Sequence, residues 1–459
     1  MGRRPIGPVD TIWLNMDRPN NLMVIDSLMF FDGQVDWDRA RAVVERRLVD
    51  RYPVFSQRPV QPPLGLGTPH WEDDPDFDLE RHFRRVHLAR GDDATLQGYI
   101  EQFMAEPMDR TRPLWVMHLL DGYDGGSVVY TRIHHSLADG IALNQVLLSL
   151  TDATPEGDLD ESEDAQEEVR HSRGLLGEAV HLAGSAASGA AHLLLDLPRL
   201  LDPHLVGDAF TQAERTGGIA NKLLLGPRPR GPLTGAPGVA KRAVWSEAFP
   251  LGDIKHIGHR TGTTVNDVLM GCIAGALAGY TREHGGEPED VSTMVPVNVR
   301  PLDEPLPREL GNQFALVLFK YPSSLPTPLE RIVETHRRME VIKHSPEVVL
   351  TFGLIKAIGR TGPDLERFLV DFFAAKAIGV TTNVPGPLVR RYIAGTPIKG
   401  ILAWVPESGD QTVGVSIFTY AGTVRVGFKV DAARVRDPES LVHAFDEEVA
   451  QLLRLAHAV

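Results

Sequence analysis

Short apolar runs rich in β-branched residues alternate along this chain with stretches whose apolar residues recur every three or four positions, the pattern of a mixed α/β fold. Residues 25–31 and 127–133 (SVVYTRI) read as strands, and 37–50 and 140–151 as helices. A second set begins near Val239: strands at 291–299, 313–320, 379–384, 411–418 and 423–430 interleave with helices at 265–283, 327–343, 363–377 and 438–456. Between the sets, small and apolar residues recur at helical spacing from Leu175 to Leu201, with Pro198 near the end. Such a helix is either an ordinary packed element or one that lines a tunnel or rests on a lipid surface. The pattern predicts two α/β halves, 1–152 and 239–459, joined by a long crossover over 153–238.

Charge sharpens that division. Residues 152–168 carry nine carboxylates and no Lys or Arg, so a solvated linker ending near Arg170 is expected there. Residues 227–238 (PRPRGPLTGAPG) are rich in turn formers and read as a second linker. Over all 459 residues, 47 Lys and Arg face 61 Asp and Glu for a net charge of -14, which offers no basic field to a nucleic-acid backbone. The single cysteine, Cys272, excludes an internal disulfide and fits a reducing compartment, its apolar neighbours predicting a buried thiol. The N-terminal MGRRPIGPVD has no apolar core, and Ile6 stands where a myristoylation motif needs Ser or Thr. Neither an export signal nor an acyl anchor is expected, and no segment reads as a transmembrane span.

Common catalytic engines are missing from the sequence. There is no G-x-S-x-G elbow and no Gly-Lys dipeptide for a phosphate loop, and Gly65-Leu66-Gly67 lacks the third glycine of a dinucleotide fingerprint. What stands out is His134-His135-Ser136-Leu137-Ala138-Asp139-Gly140, placed directly between a strand and a helix. Neighbours on an extended strand point to opposite faces, so one histidine can face a cleft while the other packs. With an unperturbed pKa of about 6.5, such an imidazole is able to take a proton from an alcohol near neutral pH. Asp139 can order the turn through backbone amides or by pairing with an arginine, and Gly140 gives the chain room to turn. A metal site built from His134, His135 and Asp139 is disfavoured, because adjacent histidines rarely reach one ion and no His-Glu-x-x-His or cysteine cluster accompanies them. Ser136 is poorly placed to be activated by its own neighbour. A purely structural histidine pair stays open at this level.

The segment resembles the HHxxxDG signature of the CoA-dependent acyltransferase superfamily. Around it lie Trp71 to Asp78 (WEDDPDFD), Pro113-Leu114-Trp115, Asn266-Asp267, Val297 to Arg300, Gly311-Asn312, Thr382 to Pro387 (TNVPGP) and Tyr420 to Phe428. In that order, nearly the whole chain is similar to the bacterial wax ester synthase/diacylglycerol acyltransferase family. The family's usual Ser-Tyr-Asn-Gly stands here as Thr419-Tyr420-Ala421-Gly422, which removes a polar side chain from the third position.

The resemblance implies two chloramphenicol-acetyltransferase-like halves with an active-site channel between them. It implies His135 as general base with His134 in support, and Asp139 as a scaffold for which Arg300 is a candidate partner. Asn266 is a candidate for stabilising the oxyanion or orienting the acceptor, against the plainer reading of a helix cap with Asp267 in the first turn. Pro113, Leu114 and Trp115 are expected to be structural or to line the channel, and together with Gly140, Asp267 and Arg300 they are the substrate-side candidates. The implied reaction moves a long-chain acyl group from acyl-CoA to diacylglycerol or a long-chain alcohol, with acyl-CoA as substrate and no cofactor or metal. Water-insoluble products imply peripheral association with the cytoplasmic membrane face or lipid inclusions. A condensation-type acyltransferase using carrier-protein thioesters, and a non-catalytic lipid-binding protein of the same fold, are the alternatives.

Overall fold

The computed structural model describes residues 3–62, 67–157, 229–299, 307–345 and 347–457. The proposed helix from Leu175 to Leu201, the greater part of the acidic run, and Arg300 lie outside the described residues.

Two sheets carry the fold. The first has six strands in the order Tyr392–Ile393, Thr396–Trp404, Val24–Phe31, Gly126–His134, Trp115–Tyr123 and Phe83–His87. All its neighbours are antiparallel except the last pair. Val24–Phe31 is buried at all eight positions, Asp26 and Ser27 included, as a central strand covered on both faces is. Beside it, Thr396–Trp404 is supplied from far along the chain and pairs Leu402 with Leu28. This strand was not legible in the sequence, because Pro397 and Gly400 interrupt its pattern, and the register slips between Ile398 and Gly400.

The second sheet orders Thr381–Pro385, Val413–Tyr420, Thr423–Asp431 and Lys241–Trp245, with the short strand Phe249–Pro250 also on Thr423–Asp431. A separate antiparallel ribbon, Ser292–Asn298 with Phe314–Lys320, reaches it through a bridge between Met294 and Val380. The helix Val265–Glu283 starts at a capping box in which Thr264 and Asp267 satisfy each other's backbone amides. It then runs buried from Asp267 to Ala278 between Pro328–Lys343 and Glu439–His457. A Cβ on Gly271 would stand 2.4 Å from Ile332, and one on Gly275 2.2 Å from the Glu448 carboxyl, so glycine is what lets these helices meet. Cys272 is fully buried in this helix, and burial pushes its thiol pKa up.

Asp152, read from sequence as the start of a solvated linker, is instead buried. Its carboxylate accepts from Arg47 at 2.7 Å, and its backbone pairs with Tyr392. A lone carboxylate can be buried once a guanidinium neutralises it, which charge counting along the chain does not reveal.

Candidate active site

The strand Gly126–His134 ends where two other segments meet it. The His135 amide donates to the Met23 carbonyl at 2.7 Å, and the His135 carbonyl accepts from Asn312 Nδ2 at 2.8 Å. Asn312 also donates its backbone and side-chain nitrogens to Asp10 Oδ1, both at 2.7 Å. Asp139 caps the next helix, Gly140–Ser149, by accepting from the Ala142 amide at 2.8 Å, and its other oxygen accepts from the Gln313 amide at 3.0 Å. The signature turn is thus held from below by its own helix and from the side by residues 312 and 313 of the distant half.

The two histidines part as strand alternation predicts. His134 points away from the cavity: its Nδ1 meets Ser136 Oγ at 2.8 Å and its Nε2 lies 3.5 Å from Asp17 Oδ2. His135 lines a cleft between the sheets with about 1450 Å³ of empty space, part of it open to solvent. Trp13, on the helix Pro8–Met16, stacks on the His135 ring with centroids 4.0 Å apart. Burial pulls the imidazole pKa down to about 4, and the neighbouring His134 adds to this, against the hydrogen-bonded contacts that raise it. His135 is therefore neutral at pH 7, with Nδ1 buried and without a partner in another residue. Burial likewise lowers His134, while Asp17 works to raise it. Burial pushes the Asp10 carboxyl up to about 6 despite the donations from Asn312.

The cavity walls are mainly apolar, from Ile25, Met29, Leu143, Leu147, Phe314 and Phe418 among others, and its polar groups include Asn298, Gln313, Thr382 and Asn383. Among the described residues no three His, Cys, Asp or Glu side chains converge in a way that would hold a metal ion.

The other sequence candidates are spread around this centre. Asp139 and Gly140 line the cavity; Pro113, Leu114 and Trp115 do not. They are buried behind His134, where the Leu114 carbonyl accepts from the His134 amide at 3.0 Å and Trp115 Nε1 donates to the Phe55 carbonyl at 2.8 Å. The helix cap expected of Asn266 is made by Thr264 instead, because the turn enters the helix two residues earlier. Asn266 Oδ1 accepts from Asn383 Nδ2 at 2.9 Å, and Asn383 in turn lines the cavity. Asp267 does not line it; its carboxylate serves Thr264 and lies 2.8 Å from His336 Nδ1. Sequence reasoning missed Trp13, whose helix it did not predict, and treated Gly311-Asn312 only as part of a resemblance.

Comparison with known proteins identifies the family. The profile of the wax ester synthase/diacylglycerol acyltransferase catalytic domain matches residues 6–269, and that of the WS/DGAT C-terminal domain matches residues 310–453. A Mycobacterium tuberculosis protein named as a diacylglycerol O-acyltransferase is 29% identical over 99% of this chain and 98% of its own length. The O-acyltransferase WSD of Acinetobacter baylyi is 23% identical, over 97% and 96%. Among solved structures, the wax ester synthase/diacylglycerol acyltransferase from Marinobacter aquaeolei VT8 superposes with a TM-score of 0.68 at 21% identity, covering 99% of this chain and all of that one. A condensation domain of the calcium-dependent antibiotic synthetase shares the fold at a TM-score of 0.55 and 16% identity, covering 99% and 96%. From residue 6 to residue 453 the matches leave little of the sequence aside, and the chain belongs to the wax ester synthase/diacylglycerol acyltransferase family of acyltransferases.

Proposed function

We propose that this protein transfers a long-chain acyl group from acyl-CoA to the hydroxyl of diacylglycerol, of a long-chain alcohol, or of both, with His135 as general base. The observation that carries the reading is a neutral, buried imidazole at the wall of a large apolar cavity. His135 removes the hydroxyl proton as the oxygen attacks the thioester carbonyl. The tetrahedral intermediate then collapses, the carbon–sulfur bond breaks, and the imidazolium returns the proton to the departing CoA thiolate. The thioester is already activated, so the step needs a base and charge stabilisation rather than a cofactor or a covalent enzyme intermediate.

Base catalysis of this kind is worth about 10² to 10⁴ in rate, and the remainder comes from aligning two large substrates and stabilising the oxyanion. We take Asn383, which lines the cavity and donates to Asn266, as the candidate donor to the oxyanion. His134 and Asp139 serve as scaffold.

The test is CoA release from palmitoyl-CoA in the presence of diacylglycerol or hexadecanol, with the lipid products identified, for the native protein and for His135→Ala. Acceptor-dependent release that the substitution reduces at least a hundredfold supports the reading. No release with either acceptor from well-folded protein hands the case to a carrier-protein thioester or to lipid binding alone. Peripheral attachment to the inner membrane face or to lipid inclusions is part of the same proposal. In keeping with it, no helix among the described residues is long and apolar enough to cross a membrane.

A further inference from the structure

Apolar room alone does not tell a diacylglycerol from a long-chain alcohol. Next to the catalytic cleft lies a second cavity of about 860 Å³, which shares Trp13, Met294, Phe314 and Leu316 with it. Space of this kind takes the alkyl chains of either acceptor. What separates the two is hydrogen bonding: a fatty alcohol offers only its reacting hydroxyl, whereas a diacylglycerol carries an ester carbonyl oxygen five bonds from that hydroxyl.

The helix Gly140–Ser149 faces the cleft with Gly140, Leu143, Asn144, Leu147 and Leu148, an i, i+3, i+4, i+7, i+8 row. Asn144 is the polar member of that row. An asparagine inside a helix gives up helix propensity and, at this position, apolar contact between leucines. Nothing among the described residues compensates, because the half-buried Asn144 amide makes no hydrogen bond to any of them. The other amides of the cleft differ. Asn383 donates to Asn266, Asn298 has a contact of its own, and Gln313 is exposed, where solvent satisfies it.

When a substrate fills the cleft and displaces water, an amide left unpaired beside Leu143 and Leu147 counts against the complex. The favoured substrate therefore brings an acceptor oxygen to it. Asn144 lies four residues beyond Gly140, which follows Asp139 of the signature turn, and so stands about 6 Å further along the helix axis. Five bonds from hydroxyl to ester carbonyl cover a comparable span. The pantetheine arm of acyl-CoA carries amides too, but it has to lead out to solvent, along exposed Gln313 and Asn383 rather than between leucines.

We infer that Asn144 donates its side-chain amide to an ester carbonyl of diacylglycerol and so selects this acceptor over a long-chain alcohol. This selectivity rests on the acyl-transfer reading and adds to it which acceptor the site prefers.

The experiment compares the native protein with Asn144→Leu, a substitution of similar volume that suits a helix. Palmitoyl-CoA is supplied with 1,2-dipalmitoylglycerol, with its diether counterpart 1,2-di-O-hexadecylglycerol, which lacks both carbonyls, or with hexadecanol, all in the same detergent micelles. CoA release gives kcat/KM for each acceptor, and tryptophan fluorescence gives the binding of the two glycerolipids. The native protein is expected to prefer diester to diether about tenfold, and Asn144→Leu to lose that preference, its diester-to-hexadecanol ratio of kcat/KM dropping by a similar factor. Should Asn144→Leu fold poorly by circular dichroism, Asn144→Ala carries the same comparison. A diester-to-diether ratio equal in native protein and variant overturns the inference; if all three acceptors fall together, the amide serves the shared acyl-CoA instead. Native protein that acylates hexadecanol and leaves dipalmitoylglycerol untouched overturns it as well. If native protein releases CoA with none of the acceptors, acyl transfer itself fails, and the ratio of diester to diether binding in the two proteins decides for or against Asn144.

Discussion

The indole of Trp13 lies on the imidazole of His135, with ring planes 23° apart and centroids separated by 4.0 Å. The contact joins an N-terminal helix to the end of the strand that carries the signature, and it completes the burial that keeps the imidazole uncharged. Trp13 also stands on the boundary between the two cavities.

Removing the indole should therefore be visible in the pH profile. A base must be neutral to act, so kcat/KM of the native enzyme is expected to be flat through neutrality and to fall about tenfold per unit only below a pKa of about 4. Trp13→Ala admits water to His135 and moves that acid limb towards the unperturbed value of about 6.5, alongside a loss of rate at pH 8 from poorer positioning. An unmoved limb would show that other side chains provide the desolvation.

Asn312→Ala takes away the one amide that ties Asp10 to the His135 carbonyl. It leaves a buried carbonyl unpaired and a buried carboxylate with fewer donors, a stability cost of about 1–3 kcal/mol in urea denaturation. Because Asn312 holds the base rather than the substrate, kcat is expected to fall while KM changes little. A rise in KM at constant kcat would instead make Asn312 part of substrate binding.

Buried histidines make the fold acid-sensitive, and Asp10, Glu366 and Asp446, raised by burial to about 6, 7 and 6, work in the opposite direction over the same range. Burial lowers His118 to about 3 and His135 to about 4, against about 6.5 in an unfolded chain. Above pH 6.5 both are neutral in either state and stability is full. As pH falls from 6.5 towards 4 the unfolded chain takes up protons that the fold refuses, at about 1.4 kcal/mol per unit for each histidine. The histidine contribution is read as the difference between native protein and His118→Phe in urea midpoints at pH 7 and pH 5, with the variant expected to lose less stability by one proton's worth.

Ala421 has φ of 46° and Gly422 a φ of 80°, in the two-residue turn that joins Val413–Tyr420 to Thr423–Asp431. That conformation suits Asn-Gly and strains alanine. Ala421→Asn, which restores the family's usual residue, is expected to raise stability by about 1 kcal/mol with unchanged activity, as read from thermal unfolding. The departure noticed in the sequence is thus a matter of turn geometry, and a drop in stability would refute that account.

Amphipathic helices and alternating strands were legible along the chain because their side-chain periods are local. The helix over 265–283 and the strands around residues 128, 294, 317 and 427 lie within a few residues of their expected bounds. Elements whose patterns are broken or short escaped: the helix Pro8–Met16, the strand Trp115–Tyr123 with its polar His118 and Asp121, and Thr396–Trp404.

By itself, the sequence determined the α/β class, the divergence of His134 and His135, and the family, since strand alternation and an ordered set of motifs do not depend on what packs where. Only the tertiary structure decided that His135 is sealed by Trp13, that Asn312 holds its carbonyl, and that Asp152 is buried against Arg47. These groups are separated by more than a hundred residues, and burial, which sets the charge of the imidazole, is a property of everything that surrounds it and of nothing beside it in the chain.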